Sequence, residues 1–226
     1  MAATDDYEET DGDREFLYRH TDARFFLEAL ESDVHRCEAL CAAMPDDRFA
    51  RRTLVRTIWA EIEGLCASAI DWARYYASDA STLKGRYTEA ERIALRGVVA
   101  HVENGAARLV ESGYLRTKET LKFALTLVGR GAATLLAVEY GDGGWSALIE
   151  SLVVRNRLMH PKCADDLLVT DEEIQKLERG RSWFITTYKA RDRAEQATIA
   201  AEITKGFRQW MREDRVGPAS SAQDDG

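Results

Sequence analysis

Apolar residues recur along most of this chain at the three- and four-residue steps of an α-helix. Phe25, Phe26, Leu30, Val34, Cys37 and Cys41 line one face of a helix expected over residues 21–44, which Pro45 and two aspartates end. The next stripe is stronger. Val55, Ile58, Ile62, Leu65, Ala69, Trp72 and Tyr76 step by threes and fours through a helix expected over 47–77. Thr88, with Glu91 three residues on, has the form of a capping box and opens a helix expected to reach Glu111, with Gly113 as its stop. Thr117 can cap a further helix carrying Leu121, Phe123, Leu125, Leu127, Val128, Leu135, Leu136 and Val138, kinked at Gly129 and Gly131. A turn at 141–144 precedes a helix over 145–160, which Pro161 ends, and Thr170 with Glu173 caps a long final helix to about Arg212. No alternating strand pattern and no internal repeat stand out. The expected class is all-α: an up-and-down helical bundle with flanking helices and disordered tails.

Composition supports that class and sets the ends. The chain has 226 residues and only 3 prolines, all at expected element boundaries. The first residues are acidic and the last, GPASSAQDDG, are small and polar. Tails over 1–13 and 217–226 are therefore expected around a helical domain over 14–216. The formal net charge is −8, which argues against a broad phosphate-gripping face while leaving room for a local basic site.

Cys37, Cys41, Cys66 and Cys163 lack the spacing of a zinc site, so reduced thiols and no metal are expected. The acidic N-terminus does not read as a signal peptide, and the most apolar run, 123–138, is short and interrupted. The expected compartment is the cytoplasm. Four arginines of the last helix, Arg179, Arg181, Arg191 and Arg193, read as a solvated face, and the tryptophans as core or interface anchors.

The candidate chemistry lies at the end of the helix before Pro161. Arg155-Asn156-Arg157-Leu158-Met159-His160 spells R-N-x-x-x-H. This resembles the signature of HEPN domains, and the helix pattern from Phe25 to Tyr188 is similar to theirs. The resemblance implies a dimerising helical bundle in which two copies of the motif line one cleft as a ribonuclease site that needs no metal or cofactor. It also implies a polar or acidic residue on an earlier helix near the arginine. Glu61 and Glu63 both qualify, and the sequence does not choose between them.

The residues themselves suit such chemistry. An imidazole titrates near neutrality and can move the protons of the attacking 2′-hydroxyl and the leaving 5′-oxygen. A guanidinium stays charged and can fork onto phosphate oxygens. Arg155 is thus the candidate for charge stabilisation, His160 for proton transfer, and Asn156 for orientation. Arg157 and Lys162 add positive charge for RNA capture.

Geometry poses a problem, because side chains five residues apart diverge by roughly 140° on a straight helix. Either the helix loosens before Pro161, or a second copy supplies the missing partner, as a twofold axis would allow. Asn156 shares its face with Ile149, Leu152 and Val153, which leaves a buried, structural amide as an alternative.

The function expected is endoribonuclease, as a toxin or phage-defence effector. The alternative is a noncatalytic HEPN-like interaction module, with an antitoxin or nucleotidyltransferase-type protein as partner. A regulatory ligand-binding bundle is a weaker third reading.

Overall fold

The strongest apolar stripe of the sequence becomes the central helix. The computed structural model describes residues 11–78, 81, 83–103, 106–111 and 117–215. Helix α1 (Asp11–Ala43) leads through a tight turn to α2 (Arg48–Tyr76), whose first turn is capped by the Asp47 carboxylate accepting from Ala50 N at 2.7 Å. All of Val55, Ile58, Ile62, Leu65 and Ala69 are buried, and α2 packs against the other five α-helices. The fold is a helical bundle, as the apolar spacing predicts.

The middle of the chain departs from expectation. The Thr88–Glu91 capping box forms, but α3 (Glu89–Leu95) is only 7 residues long. It stops at Gly97, whose φ of +68° is the left-handed turn that glycine tolerates. An antiparallel hairpin follows, β1 (Val98–Glu103) paired with β2 (Ala106–Glu111), where a helix was expected. The missed signal is Val98, Val99 and Val102 before Asn104-Gly105 and Leu109 and Val110 after it, since Asn-Gly between β-branched runs favours a hairpin turn. Helix α4 (Thr117–Leu127) likewise ends early. Gly129, at φ +79°, turns the chain out of the helix, and Leu135 and Leu136 are left exposed.

Helix α5 (Gly144–Met159) carries the motif, and α6 (Asp171–Arg215) runs unbroken beside it. Two glycines let them meet closely. A Cβ on Gly180 would lie 2.6 Å from Leu148 Cα, and one on Gly144 would lie 2.4 Å from Trp183 Cβ. Trp145, Trp183 and Tyr140 cluster over the start of α5. Arg181 ties three helices together, bonding Glu61 of α2 at 2.6 and 3.0 Å and Glu38 of α1 at 3.0 Å. Arg191 is buried and donates to Val128 O at 2.9 Å, closing the end of α4. Arg181 and Arg191 are therefore not the solvated face expected of them, whereas Arg179 and Arg193 are exposed.

The expected tails fall largely outside the described residues, although α1 already begins at Asp11. Among the described residues, no helix is long and apolar enough to cross a membrane.

Candidate functional site at the end of α5

Helix α5 seats the motif through its apolar positions. Leu152, Val154 and Leu158 are buried, which turns Asn156 outward and leaves Arg155 half-buried. Arg155 crosses to α2, where Nη2 donates to both oxygens of Glu63, at 2.7 and 3.0 Å, and its Nη1 donates to Asn156 Oδ1 at 3.1 Å. The choice between the two acidic candidates is thereby resolved. Glu63 holds Arg155, while Glu61, 5% exposed, is committed to Arg181. Asn156 is exposed, so the buried, structural alternative for its amide does not hold.

The helix ends just before His160. α5 ends at Met159, and His160 takes the C-cap position at φ −133° and ψ 57°, its N–H donating to Asn156 O at 3.1 Å. The His160 ring is exposed, and among the described residues no hydrogen bond joins it to Arg155 or Asn156. Leaving the helical path frees the ring from the divergence that a straight helix would impose.

The last turn of α5 and the loop after His160 are held by arginines that donate to their carbonyls. Arg56 Nη2 reaches Leu158 O at 2.9 Å, Arg51 Nη1 reaches Val169 O at 3.0 Å, and Arg157 Nη2 reaches Leu168 O at 2.6 Å. Each satisfies an acceptor that the end of α5 or the loop would otherwise leave open. Asp166 completes the hold by accepting from the backbone N–H groups of Lys162 and Cys163 at 2.7 and 3.2 Å. Those two bonds, opposed by slight burial, keep its carboxyl below the usual aspartate range.

The two residues proposed for RNA capture therefore differ in character. Lys162 is exposed. Arg157 is half-buried and is bound to Glu173 at 3.0 Å and to the Leu168 carbonyl, so its guanidinium is engaged in holding the loop. Arg56 is the basic residue that sequence reasoning missed. It lies seven positions before Glu63, on the same face of α2, and a helical wheel drawn once Arg155 was matched to Glu63 would have found it.

No protein-family model, curated protein or solved structure matches the chain.

The exposed face of α5 also carries apolar groups. Val153 is 66% exposed and Met159 47%, on either side of Asn156. Arg155 retains N–H donors beyond those it spends on Glu63 and Asn156, since a guanidinium carries five. The arrangement thus offers an oriented guanidinium, an exposed amide and an exposed imidazole at one helix end, beside uncovered apolar surface.

Proposed function

We propose that this chain is a metal-independent endoribonuclease whose Arg/His site is composed at the interface of two copies. The observation that carries this reading is the oriented Arg155: it is fixed at the surface by Glu63 and Asn156, five residues before an exposed His160. Within one chain nothing bonds the two groups together, and the exposed Val153 and Met159 beside them are the kind of surface a twofold mate covers.

In this mechanism an imidazole of His160 takes the proton of the 2′-hydroxyl. The 2′-oxygen attacks the adjacent phosphorus, and the P–O5′ bond breaks. The 5′-oxygen leaves with a proton from the imidazole of the second copy. Arg155 stabilises the charge that builds on the phosphorane oxygens, while Asn156 positions the phosphate and Lys162 draws in the backbone. Glu63 aims Arg155 and is a positioning residue. Arg157 holds the loop instead of the substrate. The same reading makes RNA the partner and the cytoplasm the setting, with a role as a toxin or defence effector restrained by an antitoxin or nucleotidyltransferase-type protein.

The test is cleavage of RNA in the presence of a chelator, with 2′,3′-cyclic phosphate and 5′-hydroxyl ends as products. Arg155→Ala and His160→Ala should each abolish it with the fold intact. Mixing the two inactive variants should leave cleavage far below wild type, because each heterodimer holds one His160 imidazole where the step uses two. Persistent cleavage in both single variants ends the proposal. The net charge of −8 favours a second reading, a noncatalytic interaction module. A purified dimer inert on varied RNAs would decide for it.

A further inference from the structure

A second site lies in a different part of the bundle. A cavity of about 300 Å³ opens between α1, α2 and α6, with Tyr87 and the end of α4 in its wall. Trp72 and Tyr76 stack one turn apart on α2, with ring centroids 5.7 Å apart, and form one aromatic side. Tyr87, 3% exposed, and Tyr188, 9% exposed, form another.

The hydroxyls of these two tyrosines are the informative groups. Neither makes a hydrogen bond among the described residues. They are not walled off either, because the buried side-chain polar atoms without partners among the described residues are Trp59 Nε1 and Arg157 Nε. A buried ring whose hydroxyl has no protein partner and meets open space leaves that hydroxyl for a ligand.

Charge sets the kind of ligand. Glu28, Glu31, Asp192 and Glu195 line the cavity, against one guanidinium, Arg24, which Glu28 already holds at 2.7 Å, while Lys189, outside the lining, pairs with Glu31 at 3.4 Å. Glu195 accepts from Gly129 N and Gly131 N at 3.0 and 2.7 Å, so it is part of the wall. An anion would be repelled here, whereas a cation gains both from the carboxylates and from the ring faces. Burial, and next to it the Glu195 carboxylate, pushes the Tyr76 phenol up to about 12 and raises the Tyr87 phenol as well. At Tyr188 burial acts with Asp192 in the same direction. These hydroxyls stay neutral and can accept N–H bonds. Among the described residues no group of three His, Cys, Asp or Glu side chains is placed to hold a metal ion, so the cation that fits is organic.

We propose that this cavity binds an aliphatic ammonium ion of the diamine or polyamine class, its alkyl stem along Trp72 and Tyr76 and its N–H groups on the Tyr87 and Tyr188 oxygens. The site is separate from the end of α5 and stands whether or not the chain cleaves RNA. Calorimetric titration of the full chain with spermidine and with 1,5-diaminopentane tests it, with 1,5-pentanediol as the uncharged control. Saturable binding of the amines at one site per chain is expected, and none of the diol.

Each lost hydroxyl contact to a charged ligand should weaken binding roughly tenfold, so the Tyr87→Phe/Tyr188→Phe double variant should lose about a hundredfold. Its rings remain, and a circular dichroism melt checks that it folds. Should it not fold, the Glu28→Gln/Glu31→Gln pair, both exposed, replaces it and should likewise weaken amine binding. Absence of saturable amine binding, equal binding of the diol, or unchanged affinity in a folded double variant would overturn the proposal.

Discussion

Two glutamates two residues apart on α2 should fail in opposite ways. Glu61 is 5% exposed and binds Arg181 through both oxygens. Glu61→Ala leaves the half-buried guanidinium of Arg181 with Glu38 alone. Removing one member of a buried ion pair costs about 3–5 kcal/mol, and the remaining Glu38 bond puts this case near the lower end. At about 2–4 °C per kcal/mol for a chain of this size, the melting temperature should fall by roughly 6–12 °C.

Glu63 is different, because its side chain is 40% exposed and it pairs with an Arg155 that is itself 22% exposed. An ion pair with that much solvent access contributes roughly 0.2–1 kcal/mol, so Glu63→Ala should lower the melt by about 4 °C at most. Its effect should appear instead in RNA cleavage, through a guanidinium no longer aimed. The assay is a thermal melt by circular dichroism beside a chelated cleavage time course for both variants and wild type. Equal melting losses would refute the assignment of Glu61 to the fold. Undiminished cleavage by Glu63→Ala would refute its role in positioning Arg155.

Three further expectations follow from close contacts and charge. Gly180→Ala places a methyl group 2.6 Å from the Leu148 backbone, so α5 and α6 must separate, and a loss of about 1–3 kcal/mol is expected in urea unfolding. Burial pushes the Glu91 carboxyl up, but bonds from Arg130 and Thr88 outweigh it and hold the carboxyl below its usual range. Its contribution is therefore complete above the ordinary glutamate value of about 4.3 and is lost as pH falls through the lowered folded value. The melting gap between wild type and Arg130→Met should accordingly narrow on acidification, and a gap that is flat with pH would contradict the assignment. Asp166→Ala removes the acceptor of the Lys162 and Cys163 amides, which should then exchange with deuterium faster than in wild type while the α5 amides keep their rates.

Helices were legible where one periodicity ran without competition. The stripe from Val55 to Ala69 predicts α2 and its buried face, and the Asp47 and Thr170 caps stand where their side chains imply. Between Thr88 and Val138 the same reading overreached twice, each time by running a helix through a glycine. Gly97 and Gly129 both adopt positive φ, where an L-residue would be strained and the helix cannot continue. A capping box specifies where a helix begins and carries no information about its length. The valine-rich run after Gly97 should have shifted the balance toward strand.

The candidate site was legible in its residue types and illegible in its pairings, for a physical reason. Spacing along one helix places Arg155 and His160, but the partner of each is set by which face of another helix arrives opposite. Glu61 and Glu63 are two apart on α2, and a helix turns through about 200° over two residues. They therefore look toward different neighbours, one toward α6 and one toward α5. That the surface-facing glutamate meets the motif arginine depends on the rotation of α2, which its apolar stripe sets by burying Ile62 and Leu65. Arg157 follows the same logic in reverse. It lies two residues from Arg155, points the other way, and is drawn into holding the loop by Glu173 at the head of α6. Two arginines that read alike in sequence thus divide between orienting a surface charge and closing a loop, and tertiary rotation alone assigns which does which.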